Sequence, residues 1–154
     1  MAVSEESARR LELLNPLVYH SRADLVPFFY NARKTEEQLF CFAIDEAQSR
    51  RIEPDAGAFL GPLRAAGHLG IAPNGGTVPG GEMVELPRGL YLFAQKREAL
   101  GRDAVIALAI EVQKDGLWER LRLEAYFYLR YLYEEGAAVT QVFRPYQDPG
   151  PHPR

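Results

Sequence analysis

Strict alternation over residues 121–133 constrains this 154-residue chain more than any other feature. The odd positions, Leu121, Leu123, Ala125, Phe127, Leu129, Tyr131 and Tyr133, form an apolar face. The even positions, Arg122, Glu124, Tyr126, Tyr128, Arg130, Leu132 and Glu134, form a mixed and partly aromatic one. A period of two is the pattern of a strand with one face on a core. A slip of one residue would exchange the faces, so the register is well specified. A turn at Glu134-Glu135-Gly136 and a second run at 138–145 complete a β-hairpin.

Other elements follow from period and punctuation. Val105, Leu108, Ala109 and Val112 make one helical stripe over 102–114, with Lys114-Asp115-Gly116 as its stop. Thr35-Glu36-Glu37-Gln38 reads as a capping box, and Phe40, Ala43, Ile44 and Ala47 continue it as a second helix ending near Arg50-Arg51. Leu11 and Leu14 predict a short amphipathic helix over 1–14, closed by Asn15-Pro16. Residues 17–30 carry Pro27 and predict an edge strand or a broken one. Residues 82–95 form a strand pair or one broken strand, bent at Pro87-Arg88-Gly89, in which Leu90, Leu92 and Ala94 alternate with Tyr91, Phe93 and Gln95. Between 55 and 81, eight glycines and three prolines punctuate the chain, and Phe59-Leu60 and Leu69-Ile71 are its candidate short strands. No helix follows these glycines and no Gly-Lys-Ser/Thr ending is present, which excludes a phosphate loop.

The fold class expected is α+β, an antiparallel sheet with two helices on one face in a duplicated β-α-β-β order. Residues 1–147 are expected to make one domain, with pseudo-repeats at about 15–80 and 81–146, and 148–154 a disordered tail rich in proline.

Function is read from the even face. An ordinary exposed strand carries polar residues such as Thr, Lys and Glu; here two tyrosines stand beside a carboxylate, and Tyr91, Phe93, Gln141 and Phe143 extend the patch. Aromatic walls with a few polar groups suit a small molecule, and a carboxylate among rings favours a cationic or amphipathic one. The candidate ligand-binding residues are Glu124, Tyr126, Tyr128, Tyr91, Phe93, Arg130 and Phe143. Arg130 shares the face with Glu124 and opposes the preference for cations. No catalytic residue is assigned.

Other classes find no signal. The net charge of −3 gives no basic stripe for direct nucleic-acid contact. Charges among the first fourteen residues break any signal-peptide core, no run is long enough to span a bilayer, and the expected location is cytoplasmic. His20, His68 and His152 lack ligand spacing, so no metal or other cofactor is implied. Cys41 reads as a buried thiol in a reducing compartment.

The segment Leu86-Pro87-Arg88-Gly89-Leu90-Tyr91-Leu92-Phe93, a helix, Leu123-Glu124-Ala125-Tyr126 and a last strand ending Phe143-Arg144-Pro145 together resemble the GyrI-like small-molecule-binding family. That family includes gyrase-inhibitor-like proteins and the effector-binding domains of bacterial transcription regulators. The resemblance covers roughly 82–146 and implies two β-α-β-β units around a groove, with Glu124 and Tyr126 in it and Pro87, Gly89 and Tyr91 matching its other motif. Pro27 and the irregular 55–81 depart from the pattern in the first unit. The implied function is a stand-alone effector-binding module, with no helix-turn-helix before it, acting in transcription regulation through another protein. Two alternatives are a hydrolase of electrophilic small molecules, using Glu124 as base and Tyr126 or Tyr128 as proton donor, and a protein-binding inhibitor module.

Overall fold

The computed structural model describes residues 6–21, 38–71, 83–97, 101–134 and 136–147. The strands among them are β1 (Glu6–Leu13), β2 (Leu17–Ser21), β3 (Gln38–Ile44), β4 (Leu60–Ile71), β5 (Met83–Leu86), β6 (Gly89–Arg97), β7 (Arg122–Leu123), β8 (Tyr126–Glu134) and β9 (Ala137–Gln147). One α-helix, α1 (Arg102–Trp118), and a 3-10 turn at Ala56–Ala58 complete the set. The class is α+β, an antiparallel sheet of several strands with one helix.

The strand order is β1-β6-β9-β8-β3-β4-β2-β5, with β7 on β9. Leu13 lies opposite Gly89, and Leu17 opposite Leu86, so β1–β2 and β5–β6 form one two-stranded ribbon bent at 14–16 and 87–88. Gly89, at φ +151°, takes a backbone conformation that side chains resist as β6 leaves the bend. In a flat sheet β6 and β5 would stand six strand spacings apart, about 29 Å. Three Cα steps from Leu86 to Gly89 reach at most about 11 Å. The sheet therefore curls until its two ends meet at the bend.

One face of the sheet packs on α1. Phe40 and Phe42 of β3, Phe127, Leu129 and Tyr131 of β8, and Val142 of β9 are buried there against Val105, Ile106, Leu108, Ala109 and Val112. Each large side chain so buried contributes about 1.5–3 kcal/mol. The odd residues of β8 thus meet the helix as the alternation required.

The sequence expectations fail at several places. Residues 6–13 are a strand: Leu11 and Leu13, two apart, face the sheet's second core, while Leu14 is exposed. Residues 38–44 are the strand β3, flanked by β8 and β4, rather than a helix. Both its faces are covered, so its run Leu39-Phe40-Cys41-Phe42-Ala43-Ile44 is continuously apolar, a pattern that periodicity cannot separate from a buried helix. β2 lies between β4 and β5, so the edge-strand alternative for 17–30 fails, while the alternative of a break at Pro27 lies outside the described residues. Lastly, Gly116 does not stop α1, which continues to Trp118. A Cβ at Gly116 would press on Leu92 Cδ1 and lie 2.9 Å from Leu123 Cδ2, so this glycine lets the helix approach β6 and β7 closely.

Of the two expectations for 82–95 the broken strand holds, since β5 and β6 follow one another across the bend and pair with β2 and with β1 and β9, not with each other; the hairpin β8–β9 stands as expected. In place of two short strands near 59–71 there is one long irregular strand, β4. Thr35, Glu36 and Glu37 of the capping box, Pro27 and the tail 148–154 lie outside the described residues.

Candidate functional site

The face opposite α1 holds the aromatic residues singled out above. Arg130 pairs with Gln141 and Tyr128 with Phe143 across β8–β9, while Phe93 lies opposite Phe143 and Tyr91 opposite Pro145 across β6–β9. The rings pack edge to face: Tyr91 with Tyr128 at 6.2 Å between centroids, Tyr91 with Phe143 at 5.8 Å, and Tyr126 with Tyr128 at 5.7 Å. Such pairs contribute about 0.5–1.5 kcal/mol beyond burial.

This face is a second core, not a wet surface. Leu39, Leu86, Tyr91, Phe93 and Phe143 form one buried cluster, to which Leu11, Leu13, Leu17 and Tyr128 add. Leu17 and Leu86 arrive from the second arm of the bent ribbon, which is why the alternation alone did not reveal the cover. Tyr91, Phe93 and Phe143 are 3%, 5% and 2% exposed and form the buried floor of this face. Tyr126, Tyr128 and Arg130 remain half-buried at its margin.

Polar side chains on the floor are satisfied in a row. Arg130 Nη1 donates to Gln141 Oε1 at 2.9 Å, and Gln141 Nε2 donates to Gln95 Oε1 at 2.9 Å. Arg9 stacks its guanidinium 5.0 Å from the Phe93 ring centre, a cation–π contact. The Tyr91 hydroxyl donates to the Pro87 carbonyl at the ribbon bend. Burial raises the Tyr91 pKa well above the usual phenol range, and Tyr128, Tyr126, Glu85 and Cys41 raise it further. Tyr91 is therefore a fixed donor at neutral pH. Cys41 sits opposite Tyr128 on β3 and is half-buried. Sequence reasoning missed both Arg9 and Cys41 here, because their strands read as helices.

Glu124 is the residue that does not join the rings. Between Leu123, opposite Tyr146, and Tyr128, opposite Phe143, the strand carries two extra residues, and Glu124 and Ala125 lie in that bulge. The Glu124 N–H donates to the Pro145 carbonyl at 2.9 Å, and its carboxylate accepts from Gln147 Nε2 at 2.9 Å. Its carbonyl accepts from Arg144 Nε. Arg144 is 1% exposed on the helix side, where Nη1 donates to Gln113 Oε1 at 2.9 Å and Nη2 to the Ser49 carbonyl at 3.4 Å. Gln113 in turn donates to the carbonyls of Gln48 at 2.8 Å and Arg51 at 2.7 Å. Burial lowers the Arg144 pKa to about 9, opposed by the nearby Glu124 carboxylate, so the guanidinium is charged at neutral pH. The Glu124 carboxylate, named above as the base of a hydrolase, is thus held at Gln147.

Among the described residues no group of three His, Cys, Asp or Glu is placed to hold a metal ion. No helix among them is long and apolar enough to cross a membrane. No protein-family model matches the sequence, and no curated protein matches it.

Proposed function

We propose that this chain is a small-molecule-binding module whose ligand lies against Tyr126, Tyr128 and Arg130. The observation that carries the reading is their placement: two half-buried tyrosines and a half-buried arginine adjoin a packed aromatic floor, so a ligand needs little reorganisation of the protein. An amphipathic molecule fits this chemistry, its rings on Tyr128 and its acceptor group at the Arg130 guanidinium. The GyrI-like family reading, with effector sensing through another protein, is part of the same proposal. It rests on the order β6–α1–β8–β9, on Pro87-Arg88-Gly89-Leu90-Tyr91 at the opening strand, and on Glu124-Ala125-Tyr126 at the start of β8. A duplicated arrangement, with the first half as a second such unit, is its finer form.

The test is a thermal-shift titration with an anionic amphiphile, anilinonaphthalene sulfonate, and with a cationic rhodamine. The sulfonate should raise the melting temperature in the native protein, and Arg130→Gln should remove most of that gain. A gain from rhodamine alone, unaffected by Arg130→Gln, refutes the role given to Arg130.

A second reading, a protein-binding module, has one observation in its favour. Trp118, 77% exposed, lines a shallow depression with Ile52, 42% exposed, at the end of α1. Exposed tryptophans are frequent anchors of protein interfaces. Trp118→Ala should then abolish capture of the partner while Tyr128→Ala leaves it intact.

A further inference from the structure

A different part of the molecule gathers positive charge that, among the described residues, no carboxylate pairs. At the C-terminal end of α1 lies a cleft of about 560 Å³ lined by Arg50, Arg120 and Arg122 with Leu117, Leu121 and Leu123. The three arginines come from three segments: the turn after β3, the residue beyond the helix cap, and β7. Among the described residues no carboxylate pairs with any of them, and nearby Glu119 is already held by Arg10 at 3.0 Å. We propose that this cleft binds a small phosphorylated molecule, its phosphate or pyrophosphate group held by the three guanidinium groups.

Two features separate this from an ordinary solvated surface. The first is backbone strain. Arg120 has φ +61°, the left-handed conformation, and is the one described non-glycine residue with positive φ. It occupies the position of the Schellman motif where glycine is usual: its N–H donates to the Leu117 carbonyl at 3.0 Å, and the Leu121 N–H to the Gly116 carbonyl at 3.0 Å. A side chain there crowds its own backbone, a strain that glycine would avoid. Such strain is retained where the side chain has a task.

The second feature lies beneath the cleft. Arg144 is buried and charged; among the described residues its hydrogen bonds go to carbonyl and amide oxygens, the Glu124 carboxylate acts on it only through space, and its Nη2 donates to the carbonyl of Ser49, itself a wall of the cleft. This fixed cation adds to the field of the three rim arginines.

The bland explanation is that cations favour a helix C-terminus. It does not reach Arg50 or Arg122, which belong to other segments, and the Asp115, Gly116 and Leu117 carbonyls of the last turn are already bonded by backbone N–H groups. Guanidinium forks match the oxygens of phosphate. The leucines offer an apolar wall to the organic part of the ligand. A single concave cleft on a chain of net charge −3 fits a small ligand better than a nucleic-acid backbone, which needs an extended basic track.

The test uses inorganic pyrophosphate on the full chain, followed by calorimetry and by the fluorescence of Trp118, the sole tryptophan, which adjoins Leu117. Saturable binding that weakens with added salt is expected. Arg50→Gln, Arg122→Gln and Arg120→Gly should each weaken it roughly tenfold or more, the loss of one charge-assisted contact. Arg88→Gln, an exposed arginine outside the cleft, should leave it unchanged. Equal weakening by Arg88→Gln, or no saturable binding, overturns the site. An oligonucleotide that binds more tightly than pyrophosphate and loses affinity in the same variants overturns the small-ligand assignment.

Discussion

Replacing Arg144 by Met would test how the bulge at Glu124 and Ala125 is held. Met keeps much of the stem volume and deletes the donors. Three acceptors lose them: the Glu124 carbonyl, Gln113 Oε1 at 2.9 Å and the Ser49 carbonyl at 3.4 Å. Charge-assisted hydrogen bonds contribute about 1.5–3 kcal/mol each, and Gln113 is fully buried, so its oxygen would be left unpaired away from water. The 3.4 Å contact is long and contributes little. Against this, Met removes a buried guanidinium whose pKa is lowered to about 9, a sign that its desolvation is incompletely repaid. Two strong bonds lost and part of a desolvation penalty recovered leave Arg144→Met destabilising by about 2–4 kcal/mol. In a domain of this size that is a fall in melting temperature of roughly 4–16 °C. Urea unfolding of Arg144→Met, Gln113→Met and the double variant should show a coupling of about 1–2 kcal/mol, because the two residues share one bond. An Arg144→Met protein as stable as the native one would refute the assignment of this network as the clamp on the bulge.

Three further outcomes follow from the same structure. The Tyr131 hydroxyl is buried with no hydrogen-bond partner among the described residues, so Tyr131→Phe should stabilise by about 1 kcal/mol in chemical denaturation; a loss of stability would mean that the hydroxyl has a partner. Burial raises the pKa of Tyr131 and of Tyr91 above the usual value of 10.0, so their contribution is intact below that pH and is lost as pH rises beyond it, at about 1.4 kcal/mol per pH unit for each phenol. Melting temperatures measured from pH 9 upward should therefore fall above about pH 10, less steeply in Tyr131→Phe; an unchanged slope in the variant would contradict this. Arg120→Gly should raise stability by about 1 kcal/mol while weakening pyrophosphate binding, and a destabilised Arg120→Gly would show that the left-handed position is not strained.

How far the sequence reached depended on whether an element has one covered face or two. β8 carried a clean alternation, and its odd residues met α1 as read. The stripe Val105, Leu108, Ala109 and Val112 located α1 for the same reason. β3 is covered on both faces, so its apolar run offered no period, and Phe40 and Ile44 at a spacing of four imitated a helix. In β1 the informative pair was Leu11 with Leu13; exposed Leu14 supplied the misleading helical spacing. Gly116 looked like a terminator because closeness to Leu92 and Leu123 leaves no local mark. The aromatic set was legible by parity, and Tyr126, Tyr128, Arg130, Tyr91, Phe93 and Phe143 do share one face. What could not be read was the two-residue bulge at Glu124 and Ala125, since strict alternation continues through it. It is held by long-range bonds that Glu124 accepts from Arg144 and Gln147 and donates to the Pro145 carbonyl.

The ligand assignment is tested most directly by equilibrium titration of native protein and Tyr128→Ala with anilinonaphthalene sulfonate, read by dye fluorescence. Saturable binding to the native protein, weakened roughly tenfold or more by Tyr128→Ala and unchanged by Arg122→Gln, is the result predicted. Binding of equal affinity to native protein and Tyr128→Ala would contradict it.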